Sequence, residues 1–369
     1  MVKGILKEEL TAVADKYGDE RRTEIQDVED EIDIEDLIEE EQCVFTLTAG
    51  GYIKRVPTST YKAQKRGGKG ITAMATKEED YVDTVFTAST HDFIMFFTNK
   101  GKVHRKKGYQ IPESGRTAKG TAMVNVLPLE SDEKVTTMIH LENREKTEDT
   151  RYLMMVTRKG TVKRVELGSL FTARKAGIRC ITLDPDDELI AVRETDGDAA
   201  ILLATHEGMS ICFKESDVRC MGRDACGVMG IRLRQGDYVV GAARAKREHY
   251  VLMVTENGYG KRTEMDEYIR GDGPQKRGGY GLKGYNCTDK TGALVGLKVV
   301  SDEDDVLVIN DAGVIIRMAC REISCYSRGA QGVKLMNLPE GVKVISIART
   351  DHAEAPEEPA PEEPQETQE

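Results

Sequence analysis

A six-fold internal repeat is the feature that most constrains the fold of this 369-residue chain. From residue 43 onward, one unit recurs: a short apolar run, a turn that contains glycine, and a second run that ends in basic residues. Repetition at an interval of about 50 residues is typical of repeat arrays and propellers. The glycines of the six turns are Gly51, Gly101, Gly160, Gly208, Gly258 and Gly313.

Each turn predicts a hairpin, because glycine, often beside Asn or Asp, tolerates the positive φ that a tight β-turn requires. Each unit then passes through a Gly-containing loop into another apolar run, such as Ala200-Ile-Leu-Leu203. Several strands in each of six units predict an all-β fold. We expect a six-bladed, propeller-like ring in which every blade buries its apolar faces against its neighbours.

Acidic segments flank this array on both sides. Apolar residues at helical spacing in residues 4–17 predict a short N-terminal helix, and residues 26–42 are an Asp- and Glu-rich linker. Residues 351–369 are rich in Pro and Glu and poor in apolar residues, which predicts a disordered acidic C-terminal tail. The predicted segments are therefore 1–42, 43–350 and 351–369.

The net charge of −11 is divided unevenly along the chain. Residues 1–42 carry 16 acidic and five basic residues, and residues 351–369 carry eight acidic residues and no Lys or Arg. Residues 43–350 therefore have a net charge of +8. A basic body is compatible with a polyanionic partner, although the whole chain is acidic.

The most specific candidate site is a loop in the first repeat, Gln64-Lys65-Arg66-Gly67-Gly68-Lys69-Gly70. Glycine allows the backbone N–H groups to approach a phosphate closely, and Lys and Arg supply positive charge. The loop of the fifth repeat, Gln275–Gly281, differs from it only at Tyr280. Because equivalent loops occupy equivalent places in a ring, their recurrence predicts a curved basic track.

Cations that follow the hairpins or lie in the equivalent loops extend this predicted nucleic-acid-binding track. Each of them is also compatible with an ordinary surface residue, so the prediction depends on their repeated placement. Besides Gln64–Gly70, the predicted contacts are Lys54, Arg55, Arg105, Lys106, Lys163, Arg164, Arg174, Lys175, Lys214, Lys261, Arg262, Lys276, Arg277, Arg317 and Arg328.

Signals of catalysis are absent from the sequence, which has no G-x-x-x-x-G-K-[ST], H-E-x-x-H or G-x-S-x-G motif. The six histidines form no ligand-spaced cluster, and no cysteines are spaced C-x₂-C, so we expect reduced thiols and no metal site. Cys220 and Cys226 are interpreted as small apolar fillers, with a metal or redox role as the alternative. The sequence has no membrane-spanning run and no secretory signal, and we expect a cytoplasmic protein.

The loop Gln64–Gly70 resembles the seven-residue box of the DNA gyrase A C-terminal domain family, with a conservative Lys/Arg choice at Lys65 as the only difference. Residues 4–25 resemble the end of that family's breakage-reunion region, and the six repeats resemble its six-bladed β-pinwheel. The resemblance covers residues 3–350. It implies a ring whose blades exchange hairpins and which wraps duplex DNA right-handedly around a basic rim, giving negative supercoiling its direction. It also implies that the box anchors DNA and holds the ring closed.

The resemblance has further implications for partners and cofactors. It implies that the chain is a monomer by itself and works with the other parts of the gyrase A and B subunits in an A2B2 enzyme of the bacterial cytoplasm and nucleoid. The catalytic tyrosine and the ATPase of that enzyme lie elsewhere. We therefore expect no catalysis and no cofactor in this chain, whereas ATP and Mg²⁺ serve the other parts. The opposite charges of tail and body suggest the hypothesis that the tail competes with DNA for the rim.

Three alternatives remain open. One is the C-terminal domain of the related topoisomerase IV protein, although the box is typically degraded there. Another is a propeller that binds protein partners, which predicts binding that is insensitive to salt. The third is an enzyme with a site in the central channel, which requires a convergent polar cluster that the sequence does not reveal.

Overall fold

The computed structural model describes residues 2–19, 34–60, 82–115, 117–141, 151–171, 176–269, 274–312 and 314–351. They belong to two compact units, Met1–Glu39 and Glu40–Glu369. The first unit contains the predicted N-terminal helix, α1 (Val2–Tyr17), and one 3₁₀ turn, Ile34–Leu37. The predicted acidic tail beyond residue 351 lies outside the described residues.

The second unit is built from strands, and each repeat contributes a hairpin followed by a long strand. In the second and later repeats, a two-residue strand lies between the hairpin and the long strand. The strands of the first three repeats are β1 (Gln42–Thr48), β2 (Tyr52–Pro57), β3 (Val82–Ser89), β4 (Phe93–Thr98), β5 (Lys102–Lys107), β6 (Thr121–Ala122), β7 (Val135–Leu141), β8 (Tyr152–Thr157), β9 (Thr161–Glu166), β10 (Ile178–Arg179) and β11 (Leu189–Thr195).

The last three repeats follow the same order of strands. Their strands are β12 (Ala200–Thr205), β13 (Met209–Lys214), β14 (Val228–Met229), β15 (Val239–Ala245), β16 (Tyr250–Thr255), β17 (Tyr259–Glu264), β18 (Leu282–Lys283), β19 (Leu294–Val300), β20 (Asp304–Asn310), β21 (Ile315–Ala319), β22 (Val333–Lys334) and β23 (Val344–Asp351).

These strands form six antiparallel sheets, which confirms the predicted six-bladed all-β fold. Blades one to five each have four strands, in the orders β3-β1-β2-β6, β7-β4-β5-β10, β11-β8-β9-β14, β15-β12-β13-β18 and β19-β16-β17-β22. The long strand is at one edge, and the short strand at the other edge comes from the following repeat. Successive blades are therefore joined by an exchanged strand. Blade six has the order β21-β20-β23, with three strands among the described residues.

The six long strands line a central channel. Small residues occupy equivalent register positions on all of them, which leaves space along the axis of the ring. These residues are Thr84, Thr137, Ala191, Gly241, Gly296 and Ser346. The short exchanged strands consequently lie at the outer edge of each blade, farthest from the channel.

The hairpin turns have the predicted glycine geometry in five repeats, and Gly313 lies outside the described residues. Gly51, Gly101, Gly160, Gly208 and Gly258 all have positive φ. In the first four of these repeats a threonine three residues earlier accepts a hydrogen bond from the amide at the start of the next strand, as in Tyr52 N to Thr48 Oγ1 at 3.1 Å. In the fifth, Thr255 Oγ1 instead donates to Tyr259 O at 3.2 Å. This pairing explains why Thr and Gly recur together in the repeats.

Hydrophobic clusters between adjacent blades form the core, as the repeat pattern predicted. All eight cysteines are free thiols, and Cys43, Cys180, Cys212 and Cys320 are buried in these clusters or beside them. Cys220 and Cys226 are exposed. Their interpretation as apolar fillers is therefore wrong, because a basic loop at the outer edge of a blade has solvent on one side.

Candidate nucleic-acid interface

Three of the predicted surface cations are completely buried. Lys54, Lys163 and Lys261 follow the hairpin turns of blades one, three and five, and all are 0% exposed. Lys54 Nζ donates to the carbonyl oxygen of Ala118 at 2.9 Å, and Lys261 Nζ donates to Ser327 O at 2.8 Å. The prediction that these lysines present charge at the surface is wrong, because their ammonium groups hold the loop that the next repeat supplies.

Lys163 makes the same kind of contact in blade three. Its Nζ donates to Cys180 O at 2.6 Å and also to the carbonyl oxygen of Arg223, in the basic loop of the fourth repeat. Burial disfavours the charged ammonium, and it lowers the pKa of Lys163 and of Lys261 to about 8. The pKa of Lys54 is lowered for the same reason.

In most repeats the next position along the chain is an arginine, and its side chain also packs against the protein itself. The guanidinium groups of Arg105, Arg164 and Arg262 lie 4.4, 4.8 and 4.5 Å from the centres of aromatic rings at the start of the neighbouring strand, Phe93, Tyr152 and Tyr250 respectively. Cation–π contact of this kind stabilises the packed arginine.

Hydrogen bonds and an ion pair hold the arginines at this repeat position in blades one, five and six. Arg55 Nε donates to Ile111 O at 2.9 Å, and Arg262, 6% exposed, donates to Ile323 O at 2.7 Å. In blade six, Arg317 Nε instead donates to Asp305 Oδ2 at 2.7 Å. The guanidinium groups therefore have fixed positions, and Arg262 has little surface left for a ligand.

The basic loops are seated on the outer edges of the blades by glycines with positive φ. A Cβ on Gly120 would approach Ile53 O to 2.6 Å, and one on Gly227 would approach Val162 O to 2.6 Å. Loop arginines add anchors: Arg277 Nε donates to Asp217 O at 2.9 Å, and Arg328 donates to Glu267 O at 3.0 Å. The loops of the second, fourth, fifth and sixth repeats are thus fixed against the blade before them.

The remaining predicted cations are more accessible. Lys214 and Lys276 are exposed, and Lys106 is half-buried. Arg317 is also exposed, although it pairs with Asp305. Gln64–Gly70, Arg174 and Lys175 lie outside the described residues, so their predicted role remains a prediction. The sequence prediction omitted Lys119, whose Nζ lies 3.6 Å from the centre of the Tyr52 ring, although its place in a Gly-containing loop would have identified it.

Polar residues do converge at one mouth of the channel, contrary to the expectation from sequence. The rings of His206 and Tyr238 stack at 4.5 Å, with the Arg158 guanidinium 4.2 Å from the Tyr238 ring centre. His206 Nε2 lies 3.8 Å from Glu256, and Lys343 Nζ lies 2.8 Å from the same carboxylate. These residues come from blades three to six and contact one another, so they connect neighbouring blades.

The strand order and the seated loops define a class: a six-bladed β-propeller whose blades are joined by exchanged outer strands that follow basic loops. The chain belongs to the family described as DNA gyrase C-terminal domain, beta-propeller. The family model matches residues 44–89, 92–141, 151–196, 199–246, 249–301 and 304–351, one segment for each blade.

Curated relatives support this membership. The chain is 47% identical over 354 residues to the DNA gyrase A protein of Staphylococcus epidermidis, covering 94% of this chain and 38% of that protein. It is 46% identical over 348 residues to the DNA gyrase A protein of Clostridium acetobutylicum, covering 94% of this chain and 41% of that protein. The chain therefore spans well under half of the length of these relatives.

Two solved structures are similar in fold. The C-terminal domain of a DNA topoisomerase IV superimposes with a TM-score of 0.74 at 26% identity, covering 85% of this chain and 94% of that one. A DNA gyrase A C-terminal domain has a TM-score of 0.64 at 28% identity, covering 84% and 99%. Among the residues that the structure describes, no helix is long and apolar enough to cross a membrane.

Proposed function

We propose that this chain binds duplex DNA along the outer edges of its blades and wraps it right-handedly, giving a gyrase its negative-supercoiling direction. The observation that carries the proposal is the repeated seating of a basic loop on the outer edge of the preceding blade. A phosphate backbone that follows the ring would meet equivalent loops in succession. Family membership and the gyrase A relatives support the same function.

The energetics of wrapping favour distributed contacts of this kind. Phosphate contacts supply affinity without reading sequence. Bending duplex DNA costs roughly 1–6 kcal/mol for each 20–30 base pairs on elastic estimates, so contacts at a single blade would not hold a wrapped path. Lys106, Lys214, Lys276 and Arg317 are the described, predicted cations that remain most accessible for this role.

The first-repeat box has a second role in this proposal, which is to close the ring. The outermost described strand of blade six, β21, begins with Ile315, which is 42% exposed, and follows Val314, which is 51% exposed. In the other blades this edge is covered by the short strand after a loop glycine, as by Thr121 after Gly120. Gly70-Ile71-Thr72 is the corresponding sequence of repeat one, and we propose that Ile71–Thr72 pairs with this edge, which no strand among the described residues covers.

The whole enzyme is part of the proposal as well. In this proposal the chain is a non-catalytic part of a type II topoisomerase, an A2B2 assembly that also contains the remainder of gyrase A together with gyrase B. The gyrase A relatives support its membership of a gyrase. In this proposal ATP and Mg²⁺ act in those other parts, and the site of action is the bacterial cytoplasm and its nucleoid.

A topology assay tests the proposal. Nicked circular DNA is incubated with the chain, sealed by ligase and deproteinised, and its linking number is read on a gel. We expect a shift to positive supercoils that is lost when Gln64–Gly70 is replaced by alanines. Lys159→Ala, which removes an exposed cation from a hairpin turn, should retain the shift. No binding at low salt would overturn the proposal and favour a propeller that binds protein partners.

A second candidate is a domain with the role of the topoisomerase IV relative, because that domain superimposes with a TM-score of 0.74. The same assay separates the two candidates. DNA binding without any change in linking number would indicate contact without wrapping and favour this second function.

A further inference from the structure

We propose that the mouth of the central channel opposite the one that contains His206 and Glu256 binds the acidic C-terminal segment of this same chain, residues 352–369. This mouth lies where the long strands of blades three to six end, and it encloses a cavity of about 380 Å³. The five cations that line it are Arg193, Arg244, Lys246, Lys298 and Arg349. We call this set the basic mouth.

The basic mouth is suited to carboxylates. Arg244 contacts Asp196, and Arg349 lies 3.7 Å from Asp304, but no carboxylate side chain lines the cavity among the residues that the structure describes. Arg193 is held by hydrogen bonds to the carbonyl oxygen of Ala242 at 3.0 Å and of Val192 at 2.9 Å. A guanidinium fixed in this way can bind a carboxylate without losing much rotamer freedom.

The opposite mouth has a different charge pattern. The carboxylates of Glu256 and Asp311 line it together with its cations, and Lys343 already pairs with Glu256 at 2.8 Å. An acidic peptide would meet like charge there, whereas it meets five cations at the basic mouth. The two mouths of the channel therefore differ in charge, and the basic mouth is the more positive.

The path of the chain brings the acidic segment to the basic mouth. The last described strand, β23, ends at Asp351, two residues after Arg349, so the acidic segment begins at this end of the channel. Residues 352–369 contain seven Glu, four Pro and no Lys or Arg. A short tether of this kind gives an effective concentration on the order of millimolar, so individually weak pairs suffice for occupancy.

Carbodiimide crosslinking of the full chain, read by mass spectrometry, tests the inference. The reagent joins a carboxylate to a lysine amine only where the two groups touch. At low salt we expect crosslinks from Glu354, Glu357 and Glu358 to Lys246 and Lys298. They should disappear at about 1 M salt, where the Debye length is only about 3 Å.

A matched pair of variants makes the test specific. Arg244→Glu reverses a charge at the basic mouth and should abolish most crosslinks from the acidic segment to Lys298. Lys334→Glu makes the same change of charge on an exposed lysine of the outer strand β22 and should leave them unchanged. Circular dichroism of both variants confirms that the fold is retained.

Duplex DNA distinguishes the basic mouth from the outer edge of the blades. Crosslinks to Lys246 and Lys298 should persist when DNA is added, because the channel mouth is separate from the outer edge. Crosslinks to Lys106, Lys214 and Lys276 that DNA displaces would place the acidic segment on the rim and overturn the inference. Crosslinks only between isotopically distinct copies, or none from residues 352–369 at low salt, would overturn it as well.

Discussion

Lys261 Nζ in blade five lies 2.8 Å from the carbonyl oxygen of Ser327, which belongs to the loop that the sixth repeat supplies. Blades one and three have the same relationship at Lys54 and Lys163. A lysine placed after each of these turns therefore connects one repeat to the next. Its regular recurrence reflects the assembly of the ring as well as the chemistry of the rim.

Replacing Lys261 by Met should destabilise the fold without changing the electrostatics of DNA binding. The substitution leaves the carbonyl oxygens of Ser327 and Arg328 without their donor, so the free energy of unfolding should fall by about 1–3 kcal/mol. Denaturant unfolding measures the loss. The slope of DNA affinity against salt concentration should stay at its wild-type value, and a decrease in that slope would show that Lys261 contacts phosphate.

The sequence supports a prediction of the repeat, the hairpin turns and the six-bladed fold, because these depend on local patterns of glycine, threonine and apolar residues. It does not distinguish the buried Lys261 from the exposed Lys276, because both are cations at repeated positions. The difference is set by the partner of Lys261, a carbonyl group 66 residues away along the chain. A lysine that is buried because a distant backbone carbonyl accepts its hydrogen bond has no recognisable pattern in a single sequence.

Removing exposed lysines should weaken DNA binding and leave the stability of the fold nearly unchanged, which is the opposite of the effect expected for Lys261→Met. Lys214 and Lys276 are exposed, and each is expected to neutralise about one phosphate. The double variant Lys214→Ala, Lys276→Ala should lower the slope of log affinity against log salt by about 0.9 for each lysine. The free energy of unfolding should change by less than about 0.5 kcal/mol. Titration of duplex DNA at several salt concentrations measures the slope, and an unchanged slope would remove both residues from the interface.

Stability should rise with pH in the window where the buried lysines lose their protons. The pKa values of Lys163 and Lys261, about 8 when folded, lie below the 10.5 of a lysine in water, so the unfolded chain binds more protons between these values. The contribution of these lysines to the free energy of unfolding therefore increases from about pH 8 upward, and it decreases as pH falls through 8.

The matched measurement compares the wild-type chain with the double variant Lys163→Met, Lys261→Met. Burial raises the pKa of Cys180 and Cys212 to about 12, and such thiols act in the opposite direction above pH 9. The Cys212 contribution cancels in the difference between the two proteins, because burial alone shifts the pKa of that thiol. Lys163 lowers the pKa of Cys180, so the comparison is made below pH 9, where the thiols contribute little. We expect the free energy of unfolding of the wild-type chain to rise relative to that of the variant between pH 8 and 9. Parallel curves of unfolding free energy against pH would contradict the pKa values of about 8.

Gly227 should be essential to the seating of the fourth-repeat loop, and Gly222 in the same loop should not be. At φ 102°, a Cβ on Gly227 would lie 2.6 Å from Val162 O, whereas one on Gly222 has open space. Gly227→Ala should reduce the free energy of unfolding by more than about 2 kcal/mol, because left-handed strain of about 1–2 kcal/mol adds to a backbone clash. Equal melting temperatures for Gly227→Ala and Gly222→Ala would contradict this account.

The exchange of strands between blades explains the remaining difference between sequence and structure. A two-residue strand such as Val228–Met229 is too short for its pattern to predict a partner. Its pairing with Val162 and Thr161 is fixed by the loop glycine before it. The sequence therefore indicates that blades contact one another but not which edge each short strand covers.

Closure of the ring by the first repeat gives the last prediction. If Ile71–Thr72 pairs with β21, then Ile71→Pro removes a backbone N–H from that pairing and should open the edge. Amide hydrogen exchange in β21 (Ile315–Ala319) should accelerate, while exchange in the equivalent strand of blade five, β17 (Tyr259–Glu264), should not change. DNA binding should persist because the rim cations remain, but the linking-number shift should be reduced because an open ring does not hold a continuous wrapped path. Unaltered exchange in β21 would show that another part of the chain covers this edge, and the box would then act on DNA alone.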